Sequence, residues 1–145
     1  MIRRLSKHAV LFLLGGLIYF CIEVLWRGYS HWTMAVLGGA LFVIIGGLNN
    51  WFEWEMPFEL QAIIGAIAVT VAEFISGCII NIGLGLNVWD YSSMLFNLLG
   101  QICLPYSILW MGLSAVAIVA DDLLRWLLFG EQFPTYHFSL QRRKR

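Results

Sequence analysis

The sequence predicts an all-α integral membrane protein with four transmembrane helices, and three observations predict it. The chain is 60% hydrophobic and only 12% charged, with a mean hydropathy of +0.77, whereas soluble domains carry roughly 25% charge. Four apolar runs come close to the roughly 20 helical residues that a hydrocarbon core of roughly 30 Å requires. The basic residues gather at the two ends, Arg3, Arg4 and Lys7 at one and Arg142, Arg143, Lys144 and Arg145 at the other. That distribution favours cytoplasmic flanks and argues against a nucleic-acid-binding surface.

The runs cover approximately residues 8–26, 32–48, 58–80 and 96–120. They show no period-2 alternation, and backbone satisfaction in lipid makes each a helix. The first follows Arg3, Arg4 and Lys7 as a signal peptide would. Bulky Cys21-Ile22-Glu23-Val24-Leu25-Trp26 follows in place of a small-residue cleavage site, so the run is expected to stay as a span. The second is short and relies on Trp32 and Trp51 as interfacial anchors. Four spans put both termini on one side. Lys and Arg counts make that side cytoplasmic, since the loops on the other side hold only Arg27.

Residues 1–145 therefore read as a single membrane domain, with a C-terminal interfacial helix and a basic tail over 121–145. The loop Asn49–Pro57 carries Glu53 and Glu55 beside Trp51 and Trp54, placed at headgroup level. Asp121 and Arg125 stand four apart as a helical pair. The segment LLRWLLFG is expected to continue the fourth span as an interfacial helix and to stop at Gly130. Gly15, Gly16, Ala35 with Gly39, Gly77 and Gly112 are expected to bring helices close together.

The chemistry concentrates between Glu73 and Cys103. Glu23 lies fifteen positions after His8 and Glu73 fifteen after Phe58, so at about 1.5 Å per residue both sit roughly 23 Å in from the cytoplasmic side. On a fourth span that starts at Phe96, Gln101 falls roughly 8 Å below the outer surface, in the same layer. Asn81, Asn97, His31 and Asp90 lie above it. Glu23 has Arg27 four residues on, the favourable order for an ion pair. Glu73 has no such neighbour, so it is paired across helices, protonated, or open to a wet cavity. Gly77 and Asn81 extend its face at i+4 and i+8. The candidate substrate-binding residues are therefore Glu23, Arg27, Glu73, Asp90, Asn97 and Gln101.

Other classes lack their motifs. Cys21, Cys78 and Cys103 are odd in number and show no ligand spacing, so buried unreactive thiols are expected and no metal or other cofactor is called for. Neither a phosphate-cradling glycine loop nor a Gly-x-Ser-x-Gly elbow occurs. The chain is not expected to hydrolyse ATP by itself.

The motifs Glu23 with Arg27-Gly28-Tyr29, Glu73-Phe74-Ile75-Ser76-Gly77, Trp89-Asp90-Tyr91-Ser92, and Phe96-Asn97-Leu98-Leu99-Gly100-Gln101-Ile102-Cys103 with Ser107 and Trp110 span most of the chain. In these the sequence resembles the CmpB-like type IV ABC-transporter permease membrane proteins, found mostly in Firmicutes. It departs from them at Gln101, where that family is often basic, and before the second span, where the family's Pro-containing element is missing. The resemblance implies a bacterial multi-pass protein of the cell membrane, a transport subunit handling a small or amphiphilic solute. The expected partners are membrane lipids, a separate ATPase subunit and further copies of the chain. Two alternatives stay open: a membrane-embedded enzyme or binding protein acting on a lipid headgroup, and a structural or regulatory subunit whose polar layer is interhelical glue.

Overall fold

A computed structural model describes residues 2–51 and 56–139. Glu53, Trp54 and Glu55 of the acidic loop, and the Arg142–Arg145 tail, lie outside the described residues. The described chain is helical: α1 (Ile2–Arg27), α2 (Trp32–Gly46), the single turn α3 (Leu48–Trp51), α4 (Phe58–Gly77) and α5 (Leu104–Phe129). A π-helical segment, Cys78–Gly83, continues α4. Among the described residues, three helices are long and apolar enough to cross a membrane: Ser6–Arg27, Phe58–Gly83 and Leu104–Phe129.

Local chemistry explains the boundaries. Helix α1 stops at Arg27 because Gly28 takes φ +82°, while its N–H still closes the last turn on Val24 at 2.8 Å. His31 caps α2. Its Nδ1 accepts from the Thr33 amide at 3.4 Å and lies 2.8 Å from Thr33 Oγ1. Pro57 precedes α4. Helix α5 has Pro105 in its first turn and ends at Gly130, which takes the left-handed conformation.

The helices pack as an antiparallel up-and-down set. Gly15 lies against Phe42 and Gly38 against Tyr19, so the register of α1 against α2 runs in opposite directions. Gly65 on α4 meets Ser114 on α5, and Thr70 bonds Ser107 at 3.3 Å. Helix α2 lies centrally and touches α1, α4 and α5, whereas α1 and α5 hardly meet. Leu41, Ile45, Val69, Trp110 and Ile118 form the core. Gly112 has open space where its side chain would be, so it takes no part in helix packing.

The fourth helical run differs from expectation at its start. Residues Phe96–Cys103 are turns and α5 begins at Leu104. Phe96 and Leu99 take φ 52° and Gly100 φ 68°, which no right-handed helix accommodates. The Asn97 amide holds the turn by donating to the carbonyls of Ser92 (3.1 Å) and Met94 (2.9 Å), and its oxygen accepts from the Gly100 N–H at 3.2 Å. At the other end α5 runs past Ala120 through Asp121 to Phe129 and stops at Gly130, so the segment after the fourth span is one continuous helix with it. Cys103 is buried, but Cys21 is exposed on α1.

Candidate functional site

The end of the bundle where α1 and α4 finish and α2 and α5 begin holds the polar layer. On α4, Glu73 is 3% exposed. Its Oε1 accepts from the Tyr91 hydroxyl at 2.9 Å and its Oε2 from Trp110 Nε1 at 2.9 Å. Both donors are neutral, so the carboxylate is oriented by hydrogen bonds from the loop and from α5. On α1, Glu23 Oε1 takes Arg27 Nη2 at 2.5 Å and its other oxygen takes the Ser30 hydroxyl. Arg27 Nη1 reaches across to the Val88 carbonyl at 3.2 Å and fastens α1 to the long loop. Arg27 Nε is buried with no protein partner.

Gln101 arrives in this layer by a different route from the one expected. It stands on a loop, not on a helix, and packs against Gly77, where any side chain would meet it within 2.5 Å. Its Oε1 accepts from Asn81 Nδ2 at 2.8 Å, and its Nε2 donates to the Leu99 carbonyl at 2.9 Å. Asn81 also donates to the Trp89 carbonyl (3.0 Å) and accepts from the Val88 N–H (2.7 Å), while Trp89 Nε1 donates to the Gln101 carbonyl (2.9 Å). The π-helical turn places Asn81 inward, and the three residues form a hydrogen-bonded plug.

Asp90 and Asn97 lie apart from this cluster, exposed on the loop. Asp90 Oδ1 accepts from the Ser92 N–H (2.8 Å) and hydroxyl (2.5 Å). Those bonds from Ser92 hold its carboxyl below the usual carboxylate range. Asn97 serves the turn already described.

Between α1, the loop and α5 lies a cleft of about 220 Å³. Glu23 and Arg27 line it together with five aromatic rings, those of Tyr19, Trp26, Tyr91, Tyr106 and Trp110. Tyr91 stacks on Tyr106 with centroids 4.7 Å apart, and Tyr19 faces Trp110 at 6.3 Å. Glu73 sits directly behind the Tyr91 and Trp110 side chains that bind it. The geometry suits recognition of a solute with a polar or charged head. Residues 10–129 match the family described as "Putative ABC-transporter type IV". The chain belongs to that family. No curated protein and no solved structure is significantly similar to it. Family membership together with the three long apolar helices makes this a transport-related membrane protein.

Sequence reasoning does not single out the cleft's aromatic lining, apart from naming Tyr91 and Trp110 among the family motifs. The available signal is spacing: Tyr19, Glu23 and Arg27 stand four apart on α1, as do Tyr106 and Trp110 on α5. A second polar centre, at the opposite end, is buried where an interfacial helix was expected. Asp121 is 0%, Asp122 5% and Arg125 3% exposed. Arg125 Nε pairs with Asp121 Oδ2, and Gly46 of α2 makes room for the Asp121 carboxylate. Tyr136 donates to Asp122 at 2.9 Å, and the Phe58 N–H to the His137 carbonyl at 2.8 Å. The segment after α5 thus folds back over the start of α4.

Proposed function

We propose that the chain is a permease-like transport subunit that binds a small amphiphilic solute in the cleft at the Arg27 end. Glu23, Arg27 and Glu73 supply the charged groups. Gln101 and Asn81 fix the loop beside the cleft, and Asp90 and Asn97 hold its turns. One observation carries this reading: a buried carboxylate on α4, held only by neutral donors, stands immediately behind an aromatic-walled cleft. A carboxylate kept in a membrane helix is costly, and such groups mark solute pathways.

A chain this small works with partners, and the family points to a separate ATPase subunit and to further copies of the chain. Purification from native membrane with lipids retained, followed by mass spectrometry, is expected to recover an ATPase subunit in stoichiometric amounts. Glu73→Gln is then expected to abolish the solute-stimulated ATP hydrolysis of that assembly while the protein stays in the membrane. Full stimulation in the variant would count against the site. Recovery of lipid alone, released by Glu73→Gln, would favour the lipid-headgroup reading, which an apolar slot beneath the cleft also supports.

A further inference from the structure

Below the cleft, a second cavity of about 110 Å³ shares Tyr19, Ile22, Trp110 and Leu113 with it. Its own walls are apolar, among them Ile18, Phe42, Ile45, Val69, Val116 and Ala117, and it reaches down to Gly15 on α1. From Gly15 to Arg27 is twelve residues, a rise of about 18 Å. One leaflet of a hydrocarbon core is about 15 Å deep. The two cavities together therefore have the length of a single acyl chain and its head. They lie along the seam between α1 and α5, two long helices that hardly touch. Ile22, Leu109 and Val116 border that seam and are 41%, 43% and 62% exposed.

The head end holds more acidic than basic side chains. Two carboxylates, Glu23 and Glu73, stand against one guanidinium, Arg27, which already pairs with Glu23. The uncompensated carboxylate lies behind the rings of Tyr91 and Trp110, and five aromatic side chains wall the space in front of it. Aromatic rings attract an ammonium group through their quadrupole, and the hydrogen bonds that Tyr91 and Trp110 donate to Glu73 polarise those two rings in the same sense. We infer that the cleft and slot hold a single-chain amphiphile with an ammonium head, entering sideways from the bilayer between α1 and α5. The inference rests on the reading of the cleft as a binding site and names its ligand class.

The test uses the full chain in nanodiscs and follows thermal unfolding with three probes kept below their micelle concentrations: dodecyltrimethylammonium, dodecyl sulfate and tetramethylammonium. Saturable stabilisation by dodecyltrimethylammonium is expected, about tenfold tighter than by dodecyl sulfate, with no measurable effect of tetramethylammonium. Equal binding of the two dodecyl probes overturns the head assignment. Equal binding of tetramethylammonium overturns the slot. Because both comparisons use the unaltered chain, folding of a variant does not limit them. Val116→Trp, on the exposed rim of the slot, is expected to weaken the dodecyl probe about tenfold without lowering the unfolding temperature of the empty protein. Lysophosphatidylcholine ends in a trimethylammonium group too, joined to its chain through a phosphate. Tighter binding than dodecyltrimethylammonium identifies a membrane lysolipid as the source, and weaker binding a free amphiphile. No ATPase subunit is present, so selective binding without transport in the assembled system would strike the permease reading alone. Transport with unselective binding would strike this inference alone.

Discussion

Glu73 accepts two hydrogen bonds from residues 18 and 37 positions away, so losing either donor leaves a buried carboxylate oxygen unsatisfied. Tyr91→Phe is expected to cost about 1–3 kcal/mol, measured by denaturant unfolding in detergent. Trp110→Phe is expected to cost more, since it also removes packed volume. A double-mutant cycle with Glu73→Gln separates the two contributions, because the amide needs the phenol less and the combined loss should be smaller than the sum. Glu73 itself is legible in the sequence, as a carboxylate in an apolar run with no cation at helical spacing. Its partners are not, because contacts at separations of 18 and 37 come from tertiary packing and leave no local pattern. Asp90 gives a pH prediction. Its bonds to Ser92 depress its folded pKa below the unfolded value, so the turn they hold is complete above about pH 4 and is lost as pH falls through the folded pKa. The protection factor of the Ser92 amide, its exchange rate relative to the intrinsic rate at the same pH, should fall on acidification. An unchanged protection factor down to full protonation would exclude this role.

Helix contacts divide the glycines that the sequence treats alike. At Gly39 an added Cβ would stand 2.5 Å from the Phe12 carbonyl, and at Gly16 2.5 Å from the Ala35 carbonyl, both backbone atoms that cannot turn aside. Gly39→Ala must push α1 away from α2 and is expected to cost about 1–3 kcal/mol. Gly112→Ala meets nothing within 4 Å. Inside a helix it is expected to add about 0.5–1 kcal/mol of stability. Unfolding of the two variants side by side checks the assignment, and equal effects would contradict it. Elements were legible where apolar run and helix coincide, as in α1 and α4. They were not at the fourth run, where hydrophobicity continues from Leu95 into α5 but left-handed Phe96, Leu99 and Gly100 postpone the helix to Leu104. Hydropathy registers side chains and is blind to the sign of φ. The depth assigned to Gln101 rested on that helix. The loop nevertheless brings Gln101 against Gly77, one turn beyond Glu73 on α4.

At the scale of the molecule, the short helix decides the topology. Helix α2 has 15 residues, about 22 Å, and alone falls short of a hydrocarbon core of about 30 Å. Trp51 N–H bonds to the Gly47 carbonyl at 3.1 Å with helical spacing, so α3 prolongs α2 through its Gly47 turn. From Trp32 to Trp51 the two supply twenty residues, about 30 Å. Trp32 and Trp51 are 67% and 65% exposed, as indoles at two membrane interfaces would be. If α2 with α3 crosses, the loop that carries Ser93 faces one side and the segment that carries Thr135 the other, with the N-terminus on the side of Thr135. Arg3, Arg4 and Lys7 in the first turns of α1 predict a cytoplasmic location for that side. Cysteines placed at Ser93 and Thr135, in a background with Cys21, Cys78 and Cys103 replaced, test this with a membrane-impermeant maleimide. Ser93→Cys is expected to react in intact cells and Thr135→Cys only after permeabilisation. The reverse pattern would either invert the protein, turning the Arg27 end with its carboxylates and aromatic cleft toward the cytoplasm, or remove α2 from the count of spans. Equal reactivity of both sites in intact cells would place them on one side and remove α5, the helix between them, from that count.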